Sequence, residues 1–151
     1  MSRIILGFIF ISLLGSCAST RMMTQQAEYS RMLKSLVNAP IDIEEKMDGV
    51  AQVFDMVLQE SMDYGSDKNT LKHINQFQKR NKSTMNDLYQ QIESEMKKMN
   101  MAQQLQFSVS ILRKPYIKSF MDIVPKVEKK INRKIRQISM FGKFLKFLNP
   151  F

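Results

Sequence analysis

Residues 105–138 run LQFSVSILRKPYIKSFMDIVPKVEKKINRKIRQI. Within them Leu105, Val109, Leu112, Tyr116, Phe120, Val124, Val127, Ile131, Ile135 and Ile138 recur three or four apart, the period of one face of an α-helix. That phase survives both Pro115 and Pro125, so the stretch is predicted to be one long, twice-kinked helix. Each proline removes a backbone donor and disfavours helical geometry in the residue before it. A true break at Lys114 or Val124 is therefore the alternative reading.

Upstream the same period recurs. Tyr29, Met32, Leu33, Leu36 and Val37 trace a short first helix that Asn38, Ala39 and Pro40 stop. Asp42 and Glu45 form a capping-box-like pair, and Ile43, Met47, Val50, Phe54, Val57 and Ser61 or Met62 follow on one face until Tyr64 and Gly65. From Asp67 a third stripe runs through Leu71, Ile74, Phe77, Met85, Leu88, Ile92, Met96 and Met99, with Asn81 at an otherwise apolar position. At 1.5 Å per residue that helix is roughly 45 to 50 Å long. The expected fold is all-α: an elongated bundle of about four helices with a long, Pro-kinked C-terminal helix.

Composition agrees. The 151 residues are 44% hydrophobic, enough for a core, with only five glycines and four prolines and no alternating β-branched runs. A single cysteine excludes an internal disulfide framework and multi-cysteine metal sites, and a single histidine excludes histidine clusters.

The N-terminus carries an address. Arg3 precedes Ile4 to Leu14, an apolar run too short to span a bilayer and of signal-peptide length. Leu14, Gly15, Ser16 and Cys17 follow, an aliphatic and two small residues ahead of the only cysteine. This resembles the lipobox of bacterial lipoproteins, and the resemblance covers the leader alone. It implies cleavage before Cys17, attachment of lipid (palmitate among the acyl chains) at that residue, and a mature chain of 135 residues anchored at an extracytoplasmic membrane face. Ala18 is not the aspartate linked to inner-membrane retention, which favours the outer membrane in a Gram-negative cell. The organisation expected is a signal peptide at 1–16, an acylated tether at 17–24, a helical bundle at 25–140 and an amphipathic tail at 141–151.

Charge is unevenly spread. Cys17 to Leu112 carries eleven basic and twelve acidic residues, whereas Arg113 to Phe151 carries eleven basic and two acidic. The second helix is the counterweight, with Asp42, Glu44, Glu45, Asp48, Asp55, Glu60 and Asp63 against Lys46 alone. Packing it beside the basic segment would still leave Lys126, Lys129, Lys130, Arg133, Lys134 and Arg136 unanswered. A solvated helix face is the plainest account of that surplus. The functional account is contact with anionic lipid or an acidic envelope protein. Nucleic acid is not the expected partner, since an exported lipoprotein meets little of it and no nucleic-acid motif accompanies the charge.

In the tail, helical spacing gathers Gly142, Lys143, Lys146 and Asn149 on one side and Phe141, Phe144, Leu145, Phe147, Leu148 and Phe151 on the rest. A wide aromatic face under a narrow lysine face is the pattern of a helix lying in a bilayer interface, with Lys143, Lys146, Phe144 and Phe147 as contacts. The same face would equally cap the open end of the bundle.

Catalysis finds little support. His73, beside Lys72, reads as a polar-face residue with no second base or ligand near it in sequence, and Glu93 and Glu95 point apart on a helix. Met96, Met99 and Met101 have the softness to hold cuprous copper, but the first two fall on the apolar stripe, where methionine is an adaptable filler. No enzyme activity, cofactor or metal is expected. Two functions remain: a structural or interaction lipoprotein with a basic C-terminal arm, or a binding module for a hydrophobic or lipidic ligand held between Met-rich helices.

Overall fold

The computed structural model describes residues 25–149, all of whose regular structure is helical. The proposed leader, tether and Cys17, and the last two residues of the tail, lie outside the described residues. The first helix, α1, covers residues 25–38 and buries Tyr29, Leu33 and Val37. It stops at the Asn38–Pro40 turn, as its sequence predicts.

Helix α2 (Ile43–Met62) starts where the Asp42 carboxylate accepts the Glu45 amide at 2.9 Å, satisfying one of the first-turn donors. It buries Met47, Val50, Phe54, Val57 and Ser61 on the predicted stripe and Ala51, Val53 and Leu58 beside it. This double width follows from its place: α2 is packed against three later helices. Helix α3 (Asp67–Lys97) is capped by Ser66 and is 31 residues long, about 46 Å. Asn81, 2% exposed, is satisfied inside the core by donating to the Phe77 carbonyl at 2.9 Å.

The C-terminal third departs from the single kinked helix expected of it. It forms α4 (Met101–Leu112), α5 (Pro115–Ile131), a 3-10 turn (Ile135–Gln137) and α6 (Ser139–Leu148), so the described residues hold six α-helices rather than about four. The break falls at Lys114, whose ψ of 140° is the extended geometry that a following proline imposes. Pro115 then occupies the first turn of α5, where its missing amide costs nothing. The next two amides, of Tyr116 and Ile117, both donate to Asp48 Oδ1 at 3.1 Å, so α2 caps α5 from across the bundle. Pro125 does not interrupt α5. Asn132 ends it instead, in the left-handed region (φ 49°), and Ile135 and Ile138 are buried from the turn that follows.

The unbroken apolar phase was also read on the wrong side of α4. Its buried residues are Phe107, Ser108 and Ile111, while Met101, Leu105, Val109 and Leu112 are exposed, as is Tyr116 at the start of α5.

The tail is part of the core rather than an appendage to it. Phe141 and Phe144 of α6 are fully buried against Phe54 of α2, with ring centroids at 4.8 and 5.1 Å, and Phe77 and Phe120 complete the aromatic cluster around Phe54. The Met140 amide donates to Gln78 Oε1 at 3.0 Å and the Tyr89 hydroxyl donates to the Met140 carbonyl, fixing the start of α6 on α3. Gly142 is required there, because a Cβ would stand 2.2 Å from the Arg136 carbonyl oxygen. Among the described residues, no helix is long and apolar enough to cross a membrane.

Candidate functional site

The basic segment was expected to lie beside acidic α2, and α2 does pack on α5. Yet the α2 carboxylates facing that side are spent mainly on polar groups other than lysine and arginine. Glu44 Oε2 accepts from Ser110 Oγ at 2.7 Å, Asp48 caps α5, and Asp55 Oδ2 accepts from Ser119 Oγ at 2.8 Å. Among the described residues only Lys114 approaches one of them, at 3.8 Å from Glu44. The acidic helix therefore positions the C-terminal helices without neutralising the surplus on them.

Each predicted contact residue has a definite place. Lys126, Lys129, Arg133, Arg136 and Lys146 are exposed, with no carboxylate within 4 Å among the described residues. Lys134 reaches Glu128 at 3.6 Å across the end of α5, and Glu128 also accepts the Ile135 amide at 2.7 Å. Lys143 is 3.6 Å from Glu93 and lies over the Tyr89 ring at 4.8 Å.

Lys130 is not a surface contact. Its Nζ donates to the Met62 and Tyr64 carbonyls, both at 2.6 Å, serving the C-terminus of a helix whose last turn has no basic residue of its own. Phe144 is not a surface contact either, since it is fully buried, and half-buried Phe147 stacks on Tyr89 at 5.6 Å. The aromatic face read as membrane-seeking is the face that fills the core.

Three of these residues, Lys129, Arg133 and Lys134, line an open cleft of about 450 Å³ at the end of α5, together with Pro125, Glu128, Asn132 and Gln137. Asn132, in the left-handed region where α5 ends, stands in its lining between Lys129 on one side and Arg133 and Lys134 on the other. Such a surface offers several flexible cations to an anion and presents no fixed coordination shell.

His73 corrects the polar-face reading: it is 1% exposed. Its Nδ1 is 2.8 Å from Gln26 Nε2, which sets Nδ1 as acceptor and joins α3 to α1, and its ring lies against Tyr64 at 4.8 Å. Burial lowers its pKa below the usual 6.5, while nearby Glu60 acts in the opposite sense. Burial also raises the phenols of Tyr29 and Tyr64, helped by Glu60, whose Oε1 accepts from the Tyr64 hydroxyl at 3.2 Å. Ser30 Oγ, Glu60 Oε2 and His73 Nε2 are buried in this region without a hydrogen-bond partner among the described residues. Through these contacts the enclosed imidazole ties α3 to α1 and to the end of α2.

Among the described residues, no group of three or more His, Cys, Asp or Glu side chains is placed to hold a metal ion. Met96 and Met99 pack against the core, and Met101 is exposed. Compared with known protein families, characterised proteins and solved structures, the chain shows no significant match.

Proposed function

We propose that this protein is a lipid-anchored, extracytoplasmic interaction module of the bacterial cell envelope, without enzymatic activity. It is tethered through Cys17, to the outer membrane where the cell has one, and its basic C-terminal segment engages an anionic membrane surface. The leader motif around Cys17 supports the anchorage. The observation that carries the contact is the set of exposed cations Lys126, Lys129, Arg133 and Arg136, which α2 leaves unneutralised while it uses its own carboxylates elsewhere.

Each cation near an anionic surface contributes on the order of 1 kcal/mol, and the attraction is screened by salt. Substituting all four by glutamine should therefore weaken sedimentation with phosphatidylglycerol vesicles by about a hundredfold or more. Binding that is indifferent to both the substitutions and ionic strength would refute the contact. For the anchor, the parent should incorporate labelled fatty acid and the Cys17→Ser variant should not. Equal labelling of the two, or none in either, removes the lipoprotein reading.

A further inference from the structure

The tail hides the apolar face that its sequence advertises, and α4 exposes one that its sequence conceals. Met101 is 80% exposed, Leu105 54%, Val109 43% and Leu112 39%. At 100° per residue these four fall within an arc of about 80°, so they form one stripe along a helix about 18 Å long. Tyr116, 41% exposed, follows across the break. From Met101 to Leu112 the helix holds no charged residue. Exposed cations flank it on both sides: Lys97 before it, next to a Lys98 held by Glu95 at 2.7 Å, and Arg113 and Lys118 after it.

We propose that α4 is an interfacial helix whose exposed stripe enters the headgroup and acyl boundary of an anionic phospholipid bilayer. An uncharged helix with an apolar outer face and cations at its two ends fits that boundary: the apolar groups gain burial while the lysines and arginine reach anionic headgroups. Where the stripe ends, Arg113 is exposed, while Ser110 and Lys114 beside it are turned to the Glu44 carboxylate of α2. A second copy of the chain fits the stripe poorly. Four side chains on 18 Å of helix fall well short of the roughly 20 to 30 residues a side of a stable interface. With cations at both ends of the helix, either orientation of two facing copies also sets like charges together.

The inference deepens the membrane reading above and rests on it, while naming a surface that the basic C-terminal segment does not include. The chain contains no tryptophan, so one introduced indole reports its own surroundings. The experiment takes the full chain with Cys17→Ser, so that no acyl anchor contributes, as Leu105→Trp and, for comparison, Gln76→Trp on the exposed side of α3, each mixed with phosphatidylglycerol/phosphatidylcholine vesicles carrying brominated acyl chains. The expected result is sedimentation of both variants, with blue-shifted and bromine-quenched emission from Leu105→Trp alone. A Leu105→Asp/Val109→Asp double variant should melt like the parent and bind vesicles roughly tenfold more weakly or worse.

Sedimentation with unquenched emission from Leu105→Trp overturns the interfacial helix and leaves the basic-surface reading standing. No sedimentation overturns both. A blue shift without vesicles, accompanied by a doubled mass, assigns the stripe to self-association and overturns the proposal.

Discussion

Helices α4 and α6 are both short, both rich in large apolar residues and both close to lysines, yet the bundle treats them oppositely. Helix α6 turns Phe141, Phe144 and Leu148 into the centre of the molecule, whereas α4 inserts only Phe107, Ser108 and Ile111 and leaves its other apolar residues outside. Amphipathic pattern alone therefore does not say what covers a face. What separates the two is anchorage. Helix α6 is fixed by Tyr89 and Gln78 from α3 and is closed against the preceding turn at Gly142, so its wide aromatic side must face inward.

The contrast can be broken at several strengths. The largest effect is expected for Phe144→Ala, which opens a cavity in the Phe54 cluster and should cost about 3 to 5 kcal/mol in denaturant unfolding. A cost near zero would return α6 to the role of a detachable tail. Gly142→Ala forces a methyl group against the Arg136 backbone and should cost about 1 to 3 kcal/mol. Asp48→Ala removes the cap that α2 lends to α5 and should cost about 1 kcal/mol, read from the same unfolding curves.

Acid should loosen the buried polar region that joins α1, α2 and α3. The folded pKa of His73 lies below its unfolded value, so the unfolded chain binds the proton more readily. The stability contributed by the neutral ring is present above about pH 6.5 and is lost as pH falls through the lower folded value. Melting temperatures taken from about pH 8 to about pH 5 should fall more steeply for the parent than for His73→Gln. The smallest effect belongs to α4: Leu105→Gln should change stability by no more than about 0.5 kcal/mol, because the side chain supports nothing inside.

The first three helices were legible because their signals agree. Asp42 caps where the stripe beginning at Ile43 needs a start, Pro40 and Gly65 fall between stripes, and the apolar residues leave one phase to choose. In α4 two phases compete, Leu105 with Val109 and Leu112, or Phe107 with Ile111, and the intervening residues are glutamine and serine, too weakly polar to decide. The choice is made by tertiary contacts, chiefly the Asp48 cap that restarts the chain at Pro115. His73 lies on a flank of α3 next to the predicted stripe, and that flank is buried because Gln26 of α1 and Tyr64 meet the ring while the end of α2 takes up Thr70. Of the candidate contacts, the exposed charges were readable from composition. The loss of Lys130 to the end of α2 was not, since it depends on a carbonyl pair 66 and 68 positions away.

Phe54 carries one more implication. Its ring partners come from α3, α5 and α6, those on α6 lying 87 and 90 residues further along the chain. A polypeptide emerging N-terminus first cannot enclose that ring until α6 has emerged as well. Such late closure leaves the aromatic centre of the bundle open to water while the first five helices are being made.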